Sequence, residues 1–392
     1  MITKLTRRKF IALLGVNAAA LSATLRQVSA QIQADLQTLD VAVIGAGAAG
    51  LTAGYLLDQA GARFQIFEAA DIHGGRARKD TTLADFPLDM GGEWIHTTNR
   101  VLNTLSQTNS AAQRAVEWRP MTCDVVSGDR LLRQNRYARE WRGEHRFSST
   151  TWFDFFNDYM ARDIQDRIAL KTEVTGIDYS GDPVRVHLAD GRTVLARHVI
   201  VTVPLNVLKD GDIRFDPPLP RRKQRALEGA IMPDGFKLFM RFNERFYPDM
   251  VLYDYQYETA ESEIMFYNAS IDKPTNQNIL GLFAHGALAA PYASLSEDRL
   301  LAAALDELDE LYDGAASRSF EAHVLQNWSK SRYHRGTYSY FHGSRPSTLG
   351  EPIDGRVHFA GEAYNQRLDG EWGYMHVAAR SAYDAIKQIS RS

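Results

Sequence analysis

Cysteine is nearly absent. Cys123 is the only one in 392 residues, which excludes an intrachain disulfide and any metal site built from cysteines. The histidines are scattered without the spacing of metal ligands, so no metal centre is expected. No segment repeats and none is compositionally simple, which excludes a solenoid or a low-complexity scaffold. Neither sign of charge is in excess: 45 basic against 48 acidic residues leave a net charge of −3. That balance offers nucleic acid no electrostatic foothold. A bilayer-crossing helix needs about 20 apolar residues, and the run Ile11 to Leu21 falls short, so no stable membrane anchor is expected. What remains is an ordinary globular composition, 44% hydrophobic and 24% charged, on a chain long enough for two closely connected domains.

The amino terminus reads as a leader rather than as part of the fold. Thr6-Arg7-Arg8-Lys9-Phe10 carries paired arginines, the apolar run follows, and Val28-Ser29-Ala30 supplies small residues for cleavage before Gln31. Residues 1–30 are therefore expected to be a twin-arginine signal peptide, with the twin-arginine export machinery as a transient partner and a periplasmic or secreted destination. That route carries folded proteins, which suits one that takes up its cofactor in the cytoplasm.

The organising stretch is Asp40-Val-Ala-Val-Ile-Gly-Ala-Gly-Ala-Ala-Gly50. Val41 to Ile44 is a short apolar run suited to a buried parallel strand. It leads into Gly45-x-Gly47-x-x-Gly50 and a helical pattern from Leu51 to Ala60. Gly61 ends that helix, and Arg63 to Phe67 reads as a second strand carrying Glu68 at its tip. This strand–turn–helix–strand order is the setting of a dinucleotide fingerprint. Gly45 permits the turn, Gly47 lets backbone approach a pyrophosphate, and Gly50 lets helix and strand pack closely. The phosphates would sit at the helix's positive end, and Glu68 would accept from a ribose. The fold class expected is α/β, with a Rossmann-like domain and an inserted α+β domain.

Two glycine pairs follow quickly, in Asp71-Ile-His-Gly-Gly75-Arg76 and in Leu88-Asp89-Met90-Gly91-Gly92-Glu93-Trp94-Ile95-His96. Arg76 is a cation suited to phosphate. Farther on come Phe236-Lys237-Leu238-Phe239-Met240-Arg241-Phe242, Trp328 to Ser339, Gly355 to Glu362, and Gly370 to Ala379. These motifs resemble the flavin-dependent amine oxidase family of monoamine and polyamine oxidases, over most of residues 38–392.

The resemblance, with Trp94-Ile95-His96 most like the polyamine oxidases, implies FAD as cofactor, a polyamine or other primary or secondary amine as small-molecule substrate, and dioxygen as oxidant with hydrogen peroxide as product. It implies a cofactor shell of Gly45, Gly47, Ala48, Ala49, Gly50, Glu68, Ala69, Gly75, Arg76, Met90, Gly91, Gly92, Glu93, Trp94, Val174, Gly361, Glu362, Tyr374 and Met375. It places Lys237 near flavin N5 through a water, although an alternating lysine also fits a solvated strand face. Tyr338 and Tyr374 stand where family members hold the substrate nitrogen between two rings. His96 either faces substrate or is a satisfied structural histidine. Thr337 replaces the cysteine that some monoamine oxidases bond to flavin, so FAD is expected to be non-covalent. Between residues 99 and 170 family members usually carry a longer helical insertion, with a glycine-pair segment before the next strand, which this sequence lacks; His376 and Ala379 replace a usual acid and glycine. The domains implied are 38–98, 170–230 and 328–392 for FAD, with 99–169 and 231–327 for substrate.

Local patterns add detail. Asn99 to Leu105 is a predicted helix, and short strands flank the Ser127-Gly128-Asp129 turn. Thr151 to Ile168 is predicted as one amphipathic helix burying Trp152, Phe155, Phe156 and Tyr159. Tyr253, Tyr255, Tyr257, Phe266 and Tyr267 alternate as in a sheet. Ser296 is predicted to cap a helix running to Tyr312. An L-amino-acid oxidase is the nearest alternative and requires an arginine facing the flavin, for which Arg139, Arg142 and Arg332 are candidates. A flavin dehydrogenase using another acceptor, or a flavin-binding protein without turnover, also remains open.

Overall fold

The computed structural model describes residues 38–141, 143–254, 262–341, 346–365 and 373–391. The leader reading, Arg142, Tyr255, Tyr257 and Gly370-Glu371-Trp372 lie outside them.

The first strand, Leu39–Ile44, sits inside an eight-stranded sheet. It pairs in parallel with Phe64–Phe67 on one side and with Thr193–Val201 on the other. Thr193–Val201 is long enough to fork. Its early residues pair antiparallel with Val184–Leu188, and its last three pair in parallel with Val357–Phe359. The chain thus returns after some 150 residues to complete the sheet beside the end of Thr193–Val201. The helix Ala48–Gln59 and the closing helix Met375–Ile389 share one apolar core on this sheet. A second core on the other face gathers Val174, Val186, Leu205 and Phe359.

Gly235–Phe242 lies in a second, seven-stranded sheet, between Phe320–Asn327 and Asn278–His285. The period of two sends Phe236, Leu238, Met240 and Phe242 into one core with the helix Glu297–Leu311, and Phe239 into another. Both faces are covered, so Lys237 is only 2% exposed and the solvated-face reading is excluded.

Three local expectations need correction. Thr151 to Ile168 is not one α-helix: Trp152–Phe156 is α, Asn157–Ala161 is a π-turn, and Arg162–Arg167 is 3₁₀. A π-turn takes up an extra residue, which moves the buried face from Tyr159 to Met160, Ala161 and Ile164. Ser296 stands at the N-cap of Glu297–Leu311, but its side chain makes no capping bond; Glu297 and Asp298 in the first turn complement the helix dipole instead. The chain from 99 to 169 also divides between cores. Leu102, Trp152, Phe155 and Phe156 pack with the glycine-turn helix, and Ile168–Ala169 pairs with Phe64–Phe67. Cys123–Ser127 and Arg130–Arg133 instead form a hairpin that extends the second sheet.

Candidate active site

Backbone contacts build the first wall. Gly45 has φ +101°, and its N–H donates to the Phe67 carbonyl at 2.8 Å, locking the turn to the second strand. A Cβ on Gly50 would stand 1.9 Å from the Gly45 carbonyl oxygen, and one on Gly91 1.7 Å from the Arg76 carbonyl oxygen. At Gly47 the nearest atom to a Cβ would be the Gly75 Cα, 3.9 Å away, so both glycine motifs lie face to face. Thr202, which the sequence analysis did not single out, closes the turn: its hydroxyl lies 2.8 Å from the Ile44 carbonyl and 3.0 Å from that of Gly45.

These elements bound a cavity of about 520 Å³. Of the expected cofactor shell, all but Gly50 and Met90 line it. Gly50 lies behind the turn as its packing floor. The Met90 side chain enters the core of the second sheet, while its carbonyl accepts from Trp328 Nε1 at 3.0 Å. The Glu68 oxygens accept from the Ala46 and Ala70 amides at 2.7 and 2.8 Å, which fixes the carboxylate at the cavity edge with lone pairs to spare. The helix behind Gly47 has no side-chain cap and no acid in its first turn. Its amides are therefore left for an anion. An open glycine cradle, an uncapped helix start and an anchored acid fit the pyrophosphate and ribose of FAD.

Two expected contacts are differently engaged. Arg76 donates to Glu362 Oε1 at 2.9 Å and to the Thr337 carbonyl, and Glu362 also accepts from Ser339. The pair ties the opening glycine motif to the closing segment. Glu93 lines the cavity, but its carboxylate turns to protein: Lys237 reaches Oε2 at 2.7 Å, Tyr267 donates to the same atom at 2.6 Å, and Arg146 reaches Oε1 at 3.2 Å. Burial opposes the charge on Glu93, yet Lys237, Arg146 and Lys273 hold its carboxyl down at about 2. Asp89 beside it goes the other way, raised by burial and by the Glu93 charge.

Strand register sets the facing wall. Lys237 pairs across with Phe283 and Phe283 with Met265, and all three line the cavity. The adjacent row places His285 opposite Glu263. Tyr338 stacks on His285 at 4.0 Å and 7°, whereas Tyr374 lies 4.7 Å from His96 and stacks on His376 at 5.4 Å. The two tyrosines thus enter the cavity from different segments, each backed by a histidine. Burial lowers the His285 imidazole to about 3, so it stays neutral behind its ring. His96 pairs with Glu144 at 3.1 Å and lines the cavity as well. Thr337 contacts His285 Nδ1 at 2.5 Å and has no thiol to bond flavin.

Glu263 escaped the sequence reading. It opens the strand Glu263–Asn268 on the same face as Met265 and Tyr267, a period-two signal that was legible. Its carboxyl lines the cavity and makes no hydrogen bond or ion pair with a described residue. Burial pushes it up to about 7, against the pull of His96.

Residues 153–389 match the family described as flavin containing amine oxidoreductase. Residues 43–108 match the NAD(P)-binding Rossmann-like domain. Probable polyamine oxidase 4 of Arabidopsis thaliana is 24% identical over 419 residues, covering 84% of this chain and 83% of that protein. Lysine-specific histone demethylase 1B of Mus musculus is 27% identical over 60% of this chain, which spans only 29% of that protein. Cyclohexylamine oxidase from Brevibacterium oxydans IH-35A superposes with a TM-score of 0.76 at 18% identity, over 90% of this chain and 99% of that one. At that identity the likeness speaks for the fold. Because the family match spans both the substrate-side strands and the closing FAD segment, this chain belongs to the flavin containing amine oxidoreductases, and FAD is its cofactor.

Proposed function

We propose that the protein oxidises a diamine or polyamine at the carbon beside one nitrogen, giving an imine that hydrolyses to an aldehyde, with hydrogen peroxide as co-product. The observation that carries this reading is Glu263, which lines the cavity and has no ion-pair partner among the described residues. The chemistry that bound FAD supplies is acceptance of a hydride, with dioxygen as the final oxidant. The chain's own task is to orient the substrate. Tyr338 and Tyr374 flank the reacting nitrogen, and enclosure favours its neutral form. Glu263 meets a second, still protonated nitrogen, and the neutral His285 adds no repulsion.

The rival carboxylate-bearing substrate finds little support. Among the described cavity-lining residues Arg76 is the only arginine, and Glu362 engages it. Arg332 is 74% exposed and pairs with Glu173, Arg139 is exposed, and Arg142 lies outside the described residues.

Peroxide release from putrescine, spermidine, n-butylamine and L-amino acids tests the proposal. Putrescine and spermidine should exceed n-butylamine in kcat/KM, and the preference should grow as pH rises through about 7 and Glu263 ionises. Glu263→Gln should cut kcat/KM for the diamine about 10- to 100-fold, the worth of a charge-assisted contact, and leave n-butylamine nearly unchanged. Equal losses on both amines, or turnover of L-amino acids alone, would sink it. Reduced flavin that persists in air would point instead to another electron acceptor.

The proposal extends to location: Arg7-Arg8 and the apolar run behind them support export of the folded, FAD-loaded protein. Fractionation of cells carrying R7K/R8K should find the variant in the cytoplasm and the parent outside it; identical distributions would overturn this part.

A further inference from the structure

The Lys237 ammonium has three N–H donors and no acceptor. One goes to Glu93 Oε2 at 2.7 Å and one to the Asp89 carbonyl at 3.1 Å. The third finds no acceptor among the described residues, although Lys237 is 2% exposed and lines the cavity. A buried donor without a partner is destabilising, so its retention points to an atom supplied from the cavity. Glu93, which grips the ammonium, is itself gripped by Tyr267 and Arg146. The Trp94 ring, 5.0 Å from Nζ, covers another side. Carboxylate and ammonium are therefore fixed together.

We propose that Glu93 is a positioning residue that holds the Lys237 ammonium in place through their buried ion pair and directs its third N–H into the cavity. Lys237 then works as a donor and a fixed positive charge. Proton abstraction is closed to it, because an ammonium has no lone pair. The charged and titratable groups around the ammonium are Asp89, Glu93, Arg146, Tyr267 and Lys273. Among these, Glu93 alone places a carboxylate oxygen against Nζ. With Glu93 neutral, Lys237 would share a dry site with the like charge of Arg146, and its charged form would lose its support. The inference rests on FAD binding but not on the choice of amine, so its failure and that of the diamine reading are separable.

The test is the visible absorption of FAD-loaded protein without substrate, recorded from about pH 6 to about pH 9, where lysine charge in a dry site becomes titratable. The parent should show no transition that K237M removes. Glu93→Gln should show a new one-proton transition, and the E93Q/K237M double variant should lose it. A pH-flat E93Q spectrum overturns the proposal. Should E93Q fail to hold FAD, Glu93→Asp keeps the charge but withdraws the carboxylate by one methylene, and the same transition is expected. An FAD-loaded E93D with a flat spectrum would overturn it equally. A Glu93 that only supported the fold would lower the melting temperature in these variants without producing a Lys237-dependent spectral change.

Discussion

Gly50→Ala is expected to yield a colourless protein that no longer retains FAD. The added Cβ would lie 1.9 Å from the Gly45 carbonyl oxygen and 3.0 Å from its carbonyl carbon. Both are backbone atoms of the turn, and no flexible side chain is available to yield. The turn cannot slide away, because Gly45 is tied to Phe67 through its N–H, and its carbonyl is met by the Thr202 hydroxyl. Overpacking a tight site costs about 3 kcal/mol. If that strain appears as lost cofactor affinity it amounts to about a hundredfold. Cofactor titration followed by visible absorption measures it. Gly47→Ala serves as the comparison: its Cβ meets only Gly75 Cα, at 3.9 Å, so the fold should survive while the cradle is partly filled. A G50A protein as yellow as the parent would remove the glycine turn from the argument.

Lys237→Leu should be the most destabilising change on the substrate side. It deletes a cation from a buried network and leaves Glu93 dependent on Arg146 and Tyr267. Breaking a buried pair by removing one partner costs about 3 to 5 kcal/mol, mostly through the charge left behind. The pH dependence carries a sign. Glu93 is depressed from 4.5 to about 2 in the folded protein, so its contribution is complete above pH 4.5 and is lost as pH falls through about 2. Lys237 is the foremost of the charges that produce the depression. The stability gap between parent and K237L should therefore be widest near neutral pH and shrink as the solution is acidified. Asp89, raised by burial, contributes with the opposite slope in the parent, and removing Lys237 makes its ionised form less favourable still. Urea unfolding at several pH values would show the effect. A gap that widens toward acid would mean that Lys237 is not the partner holding Glu93 charged.

The placement of charge explains why sequence reading reached the FAD half more fully than the substrate half. Around FAD the determinants are local. Gly45, Gly47 and Gly50 act through backbone within one turn, and Glu68 ends the very next strand, so spacing alone brings them together. The Gly75-Arg76 motif is almost as near. On the substrate side Lys237, Glu93, Arg146 and Tyr267 come from four separate segments, and pairing among them depends on strand register. A lysine between Phe236 and Leu238 reads the same on an exposed face as on a buried one until the covering layer is known.

By itself the sequence determined the parallel strand–turn–helix–strand unit and the alternation of Phe236 to Phe242, because local backbone geometry and side-chain period leave few other solutions; the return of the chain at Val357–Phe359 was implied only by the family resemblance. Only the tertiary structure decided that Glu93 serves Lys237 rather than the cofactor, that the aromatic stripe after Thr151 passes through a π-turn, and that Glu263 stands in the cavity with no protein partner among the described residues. Those outcomes depend on which charge is left buried beside which, a matter of long-range packing and desolvation that no short window of residues encodes.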